Sequence, residues 1–570
     1  VENVSVARAA GGAISSAGCV LEMPAGCRRG AAPRVAPGVV YVLQTPDQYA
    51  RHCPGEEKVP ISDAICFGRQ RANFRKCSNC EFNEERAGPL LGTLAGGAGG
   101  QAPSREPPRA GVMEKVFKAY DVRATVPDPL NEDVAWRIGN ATAQFLRTAL
   151  SGFDRSDPKM DSLILGRDMR RSSPALAKAL ADGVLAVGTN VIDIGLVDTP
   201  QVTFATNVLP CCGGVQTTAS HNAANYNGFK ILGQKGKPIG AETGLQEIQR
   251  IAAAISRYEA PVTAKVQRLE LAREYREYLL KFLQPLARPL KVVVDASNGM
   301  AGRWFPIVFD GTPNLHIIPL NFEHKGEFAH PPNPLVAANL EELRTAVREH
   351  GADFGACLDG DADRCIFVDE HAGIVRCDLL TALLAGEYLR QKPGAAIIHD
   401  VRCSRIVGEH VSKLGGVARR ERVGHVYMKR ALADHKGVFG GEVSGHFYFQ
   451  DFFNADSGLM AFIAVLNVLS RSGESLAGLI KPLDVYASSG ERNFENEDQE
   501  GTIRRLADTY AKGTIDYLDG ITVQYPEWWF NVRPSNTEPL LRLNMEAVNQ
   551  RLLEAKLAEL TPLLGEPVEQ

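Results

Sequence analysis

Phe354–Arg364 reads FGACLDGDADR. Five mostly apolar residues, too few for a helix, run as a buried strand into a turn that carries three carboxylates. Asp359, Asp361 and Asp363 alternate, so they cannot share one helix face, where i and i+2 point apart. In a turn wrapped around a cation they converge, and hard oxygen donors of this kind suit Mg²⁺. Gly360 lets the backbone fold tightly there, and Arg364 adds a guanidinium fork for a phosphoryl oxygen. An EF-hand is excluded, because the sixth loop position is not Gly and Glu370 reaches the twelfth only by chance. The plain alternative is a solvated acidic turn.

Outward from this stretch the same grammar recurs. Leu163–Gly166 (LILG), Val191–Ile194 (VIDI), Val292–Asp295 (VVVD) and Ala396–His399 (AIIH) read as further buried strands. Ala175–Val187 and Leu340–His350 have helical period. Strands alternating with helices predict an α/β chain of mixed or parallel sheets covered by helices.

At 570 residues the chain is too long for one core and calls for several domains. A net charge of −4, from 63 Lys+Arg against 67 Asp+Glu, leaves no nucleic-acid footprint and no polybasic membrane face. No apolar run approaches the ~18–20 residues of a membrane helix. Val1–Ser16 lacks the basic start and apolar core of a signal peptide. Twelve cysteines spread along the chain suit a reduced, cytoplasmic enzyme rather than a disulfide scaffold.

Residues 1–112 differ in kind: an Ala/Gly/Pro-rich linker surrounds one Cys-rich patch, and the tract 92–111 reads as a tether. Met113 opens the first compact pattern, so this segment is either an N-terminal extension or translation begun too far upstream. Within it Cys53, Cys66, Cys77 and Cys80 give C-x12-C-x10-C-x2-C. The last pair has the gap of a zinc knuckle, and a structural Zn²⁺ would stabilise a patch too small for its own core. The irregular first spacing fits a mobile extension with reduced thiols equally well.

Three further constellations carry chemistry. In Thr217–Lys230 (TTASHNAANYNGFK), Ser220 can take up and release a phosphoryl group on its Oγ. His221 is its polar neighbour, and Lys230 can donate or accept a proton beside a phosphate; an Asn/Ser-rich surface turn is the competing reading. In Gly440–His446 (GGEVSGH), Glu442, Ser444 and His446 alternate, face one way and suit vicinal sugar hydroxyls; an incidental Gly-rich loop is as good a reading of that segment alone. Arg533–Thr537 (RPSNT), followed by Arg542, gathers donors for a phosphate, or is an ordinary turn. Taken together, a covalent-capable Ser, a Mg²⁺ turn, a sugar reader and a separate phosphate cradle fit phosphoryl transfer, which depends on positioning and charge neutralisation. A simple phosphatase needs no second cradle.

The motifs FKAYDVR (Phe117–Arg123), GRDMR (Gly166–Arg170), TASHN (Thr218–Asn222), DGDADR, GEVSGH (Gly441–His446) and RPSNTEP (Arg533–Pro539) occur in an order that resembles the α-D-phosphohexomutase superfamily, in its phosphomannomutase/phosphoglucomutase branch. The resemblance runs from Met113 to the C-terminus. It implies four domains around a central cleft: three related mixed α/β units at 113–265 (the catalytic serine loop), 266–373 (the metal loop) and 374–482 (the sugar loop), and a smaller α+β domain at 483–570 with the phosphate loop. It implies interconversion of hexose 6-phosphate and hexose 1-phosphate, mannose and/or glucose, through a phosphoserine at Ser220 and a hexose 1,6-bisphosphate that also serves as activator.

Mg²⁺ would lie among that phosphate and Asp359, Asp361 and Asp363. Arg364 is expected beside the phosphoserine and Lys230 as proton shuttle, with Arg123, His221 and His446 as helpers. Tyr120 and Arg123 would approach substrate from the first domain. Gly424 and His425 match the second specificity loop, Glu442 and Ser444 the sugar reader, and Arg533, Ser535, Asn536 and Thr537 the distal cradle.

The chain departs from the pattern at Ala223–Ala224, where prolines are frequent, and at Ala124, where Gly is usual. It departs again at Val401–Ser404 (VRCS), where Arg402 supplies the cation of lysine-bearing variants. Phosphoglucosamine mutases, the nearest alternative, carry DGDGDR, so Ala362 and the NYNGFK stretch favour the mannose/glucose branch. A sugar-phosphate phosphatase and a non-catalytic sugar-phosphate sensor are the more distant alternatives. The expected partners are small sugar phosphates, with no nucleic acid and no membrane, in a monomer or homodimer.

Overall fold

The computed structural model describes residues 51–52, 60–61, 111–148, 161–258, 263–535 and 539–568. Two compact units divide the chain at residue 100. In the first, β1 (Arg51–His52) and β2 (Pro60–Ile61) pair antiparallel. The expected zinc ligands Cys53, Cys66, Cys77 and Cys80 lie outside the described residues, as do Asn536 and Thr537.

Among its described residues the second unit holds four sheets, three of which repeat one plan. In the first, β3 (Val122–Thr125), β4 (Ser162–Arg167), β5 (Asn190–Leu196), β6 (Gly213–Thr217), β7 (Tyr226–Gly233) and β8 (Val266–Arg268) are ordered β3-β7-β6-β4-β5-β8. In the second, β9 (Leu290–Asp295), β10 (Leu315–Leu320), β11 (Phe354–Leu358), β12 (Cys365–Asp369) and β13 (Ile374–Val375) are ordered β10-β9-β11-β12-β13. In the third, β14 (Ala396–Asp400), β15 (Val417–Glu421), β16 (Phe439–Gly441), β17 (Phe447–Phe449) and β18 (Ala455–Asp456) are ordered β15-β14-β16-β17-β18.

Each has a central strand flanked by two parallel partners (β4 by β5 and β6, β9 by β10 and β11, β14 by β15 and β16). Each then turns antiparallel through one hairpin: β6–β7, β11–β12 or β16–β17. Those three equivalent hairpins carry TASHN, DGDADR and EVSGH, so a repeated topology brings three chemistries to the same end of each sheet.

The fourth sheet is all antiparallel: β19 (Ala487–Glu495), β20 (Thr514–Asp516), β21 (Ile521–Gln524), β22 (Trp528–Pro534), β23 (Leu540–Ala547) and β24 (Glu566–Val568), ordered β20-β21-β22-β23-β19-β24. The RPSNTEP segment begins in the last two residues of β22 and leads to β23.

Strands covered on both faces read as continuous apolar runs, and β11 is buried at every position. The helix Gly458–Ser472 follows the third sheet yet covers the second: Phe462 meets Phe305, Phe309 and Phe354 at ring separations of 4.9, 5.1 and 5.8 Å. One apolar core therefore runs through the second and third sheets and reaches the first, while the fourth keeps its own. Among the described residues no helix is long and apolar enough to cross a membrane.

Candidate active site

Ser220 sits in the β6–β7 hairpin with φ of 50°, left-handed backbone for a non-glycine residue, at a cost of roughly 1–2 kcal/mol. Its hydroxyl is buried, donates to Asp359 Oδ2 at 2.8 Å and lies 3.3 Å from His221 Nδ1. Thr218 Oγ1 accepts from the Ser220 N–H at 3.0 Å. The two loops press together at the backbone, where a Cβ on Gly360 would lie 2.4 Å from the Ser220 carbonyl oxygen.

Asp359, Asp361 and Asp363 are all buried, and an oxygen from each lies within 4.8 Å of the others. Ala362, between them, has φ of 59°, a conformation glycine adopts more readily. Lys230, from β7, places Nζ 2.8 Å from Asp361 Oδ2 and 2.5 Å from Asp363 Oδ2. The Thr199 hydroxyl also donates to Asp361, and the Thr199 N–H to the Asp361 carbonyl at 3.0 Å.

Burial raises Asp359 to about 7, helped by repulsion from Asp363 and Asp361 and opposed by Arg364 and Lys230. Burial pushes Asp363 the same way, but Lys230, His446 and Arg364 outweigh it and hold that carboxyl well below its ordinary value. Lys230 is raised: burial acts against its charge, and the three carboxylates overcome it. His221 is lowered, first by burial and then by Arg364, Arg123 and Lys230, which leaves a neutral ring beside the Ser220 oxygen.

Like-charged buried carboxylates call for a cation. Among the described residues Asp361 Oδ1 is buried without a hydrogen-bond partner, and an all-oxygen donor set fits a hard divalent ion. The group therefore fits Mg²⁺.

The metal loop and the sugar loop are stitched by backbone: Arg364 and His446 form an antiparallel bridge, and Cys365 N–H donates to the Gly445 carbonyl at 3.0 Å. Glu442 Oε1 accepts from Gly424 N–H at 2.8 Å, and Oε2 from Tyr448 Oη at 2.6 Å and Ser444 Oγ at 3.3 Å. His446 Nδ1 lies 2.9 Å from Ser444 Oγ, and Nε2 lies 3.5 Å from Asp363 Oδ1. Burial and Arg364 oppose a charge on His446, but Asp363 and Glu442 prevail and lift it to about 9. As imidazolium it faces both carboxylates, and Arg364 Nε at 3.2 Å is then a neighbouring cation rather than a hydrogen-bond donor to the ring.

Tyr120 packs edge-on against His425 with ring centres 6.0 Å apart, and Arg123 donates to Asn222 Oδ1 at 2.7 Å and Asp121 Oδ2 at 2.5 Å. In the fourth sheet Arg533 and Arg542 donate to Glu491 at 2.8 and 3.2 Å, and Arg402 reaches it at 3.6 Å from the third. Burial opposes the charge of Glu491, yet Arg402, Arg533 and Arg542 hold its carboxyl at about 2. Arg542 also reaches Ser535 Oγ at 3.4 Å.

The expected residues Ser220, His221, Lys230, Asp359, Asp361, Asp363, Arg364, Glu442, Ser444 and His446 thus form one continuous network of contacts. Gly424 joins it by its N–H, Tyr120 pairs with His425, and Arg533 and Ser535 meet a second cluster with Arg402. Thr199, Tyr448 and Glu491 were not foreseen. No motif marks Thr199 or Glu491, and Tyr448 lies just past the quoted GEVSGH.

A three-fold repeated α/β plan with a serine, a carboxylate triad and a hydroxyl reader on equivalent hairpins defines a phosphoryl-transfer enzyme acting on a hydroxylated substrate. Comparison with known proteins gives the family. Four models of phosphoglucomutase/phosphomannomutase match in order: α/β/α domain I at residues 114–259, domain II at 273–373, domain III at 377–486 and the C-terminal domain at 495–562. The phosphohexose mutases protein of Xanthomonas campestris pv. campestris (strain B100) is 39% identical over 454 residues, 79% of this chain and 98% of the relative. A phosphomannomutase of Escherichia coli is 37% identical over 462 residues, with the same shares of the two chains. A solved phosphoglucomutase/phosphomannomutase family protein from Burkholderia thailandensis superposes with a TM-score of 0.71 at 31% identity, covering 79% of this chain and 97% of that one. The chain belongs to the phosphoglucomutase/phosphomannomutase family of the α-D-phosphohexomutases. It is a phosphohexomutase, an intramolecular phosphotransferase.

Proposed function

We propose that the chain interconverts the 6- and 1-phosphates of mannose and glucose with Ser220 as the phosphoryl carrier. The observation that carries this reading is the buried Ser220 hydroxyl, 2.8 Å from Asp359 and flanked by His221. Asp359, Asp361 and Asp363 would hold Mg²⁺, which when bound neutralises charge on the phosphoryl oxygens. In the forward half-reaction the bond from Ser220 Oγ to phosphorus breaks, and a bond from the free substrate hydroxyl to phosphorus forms. The hydroxyl's proton is taken up locally, and Ser220 Oγ regains one.

Lys230, held as ammonium by Asp361 and Asp363, supplies a donor, and neutral His221 an acceptor. Arg364, 3.8 Å from Asp359, and Arg123, bonded to Asn222 beside Ser220, are assigned to phosphoryl oxygens. Glu442, Ser444 and His446 are assigned to the sugar hydroxyls, with Gly424, His425 and Tyr120 closing over them. Arg533, Ser535, Asn536 and Thr537, with Arg402, are assigned to the phosphate that is not reacting. The 1,6-bisphosphate then turns end for end and returns its other phosphoryl to Ser220, and added bisphosphate acts as activator by priming that serine.

The four sheets support a division close to 113–265, 266–373, 374–482 and 483–570, but they move the first two boundaries later: β8 (Val266–Arg268) pairs with β5 in the first sheet, and β13 (Ile374–Val375) pairs with β12 in the second. Sugar phosphates as sole substrates, a monomer or homodimer and a cytoplasmic setting complete the reading. An assay with mannose 1-phosphate and catalytic glucose 1,6-bisphosphate tests it. Isomerisation that is lost in Ser220→Ala supports the proposal, whereas hydrolysis without isomerisation, or binding without turnover, rejects it.

A further inference from the structure

The Ser220 loop is wound around one buried guanidinium. Arg170, 2% exposed, lies just after β4. Its Nη2 donates to the carbonyl oxygens of Ser220 at 2.9 Å and Asn222 at 2.6 Å, and its Nη1 to those of Ala223 at 2.6 Å and Tyr226 at 3.0 Å. Its Nε donates to Asp168 Oδ2 at 3.2 Å, and Asp168 Oδ1 in turn accepts from Arg170 N–H at 3.0 Å and Ser173 Oγ at 2.5 Å. A guanidinium has five N–H donors in a fixed fork, and here every one has an acceptor. On its other side the Phe328 ring, from the second α/β unit, lies 5.1 Å from the guanidinium carbon.

We propose that Arg170 is the positioning residue that fixes Ser220 in its left-handed backbone conformation and aims Oγ at Asp359. The inference rests on Ser220 being the phosphoryl carrier. A left-handed serine persists only where its surroundings over-determine it, and a fork that binds the carbonyls of Ser220, Asn222, Ala223 and Tyr226 does so. Lysine keeps the charge but has only three donors on a flexible stem, and it cannot span four carbonyls and Asp168 at once. Because a reacting atom displaced by about 1 Å costs about 10²-fold in rate, the effect belongs in kcat.

The test measures kcat, KM and amide hydrogen exchange for Arg170→Lys, with Arg170→Ala assayed with and without sub-denaturing guanidinium. The expected result for Arg170→Lys is a kcat about 10²-fold lower with KM within about threefold, and faster exchange confined to residues 218–226. Guanidinium is expected to restore part of the lost turnover in Arg170→Ala, a response that general destabilisation would not give. Wild-type kcat in Arg170→Lys, or loss of protection across the whole first sheet with no rescue of Arg170→Ala, overturns the proposal. Ser220→Ala assayed alongside separates the claims: if it loses turnover while Arg170→Lys does not, the clamp alone is rejected. Full turnover in Ser220→Ala rejects the reading beneath it.

Discussion

The Ser220 hydroxyl donates to Asp359 Oδ2 at 2.8 Å although the two residues stand 139 positions apart. Each occupies the hairpin that follows the same strand of the same sheet plan, β6–β7 for the serine and β11–β12 for the aspartate. Neither loop holds the site alone, and the contact exists because the first two sheets present equivalent ends to each other.

That closeness makes Gly360 intolerant of a side chain. A Cβ there would meet the Ser220 carbonyl oxygen at 2.4 Å, so Gly360→Ala must push the two loops apart. The expected outcome is a kcat lower by about 10²-fold with the fold retained, read by steady-state kinetics and circular dichroism.

The carboxylate triad sets the metal requirement. Chelation is expected to abolish turnover and Mg²⁺ to restore it. Asp361→Asn removes one charge from the triad, and titration calorimetry should show Mg²⁺ binding weaker by at least about tenfold.

Tyr448 holds the carboxylate assigned to sugar hydroxyls, donating to Glu442 at 2.6 Å from a fully buried position. A hydrogen bond to a charged group contributes about 1.5 kcal/mol or more, roughly tenfold in a binding constant. Tyr448→Phe is therefore expected to raise KM by about tenfold and to change kcat less, with mannose and glucose phosphates assayed side by side.

Asp198 gives the fold a pH dependence. It caps the helix Thr199–Val208 by accepting from Gln201 N–H at 2.8 Å and also accepts from Tyr275 Oη at 3.3 Å. Burial nevertheless raises it from 3.8 to about 8. Over that window the folded chain keeps a proton that the unfolded chain has released, so stability falls as pH rises. Asp198→Asn retains the cap without titrating. Its unfolding midpoint, compared with wild type, should improve by the equivalent of about 3 kcal/mol between pH 5 and pH 7.

The sequence alone made the chemistry legible wherever one short segment contains it. DGDADR implies a carboxylate turn by its spacing, and the strand before it ends where the apolar run ends, at Leu358. The helix expected at Leu340–His350 begins one residue later, at Glu341, after a 3₁₀ turn. Partners that depend on tertiary register were not legible. Thr199 reaches Asp361 across 162 positions, and nothing at Thr-Pro-Gln foretells it beyond a helix start. The GRDMR motif marked Arg170 without revealing its role, because its acceptors are main-chain carbonyls, which carry no residue identity. Glu491 lies in the alternating stretch of β19 and acquires meaning only when Arg402, Arg533 and Arg542 surround it.

Mapping the phosphoryl group after exposure of the purified chain to glucose 1,6-bisphosphate tests the central claim most directly. Intact mass and peptide fragmentation should show one phosphoryl group, on Ser220, that is discharged by hexose monophosphate and is absent from an inactive Ser220→Ala variant. A phosphoryl group on another residue, or a Ser220→Ala variant that isomerises at the wild-type rate, would contradict the account.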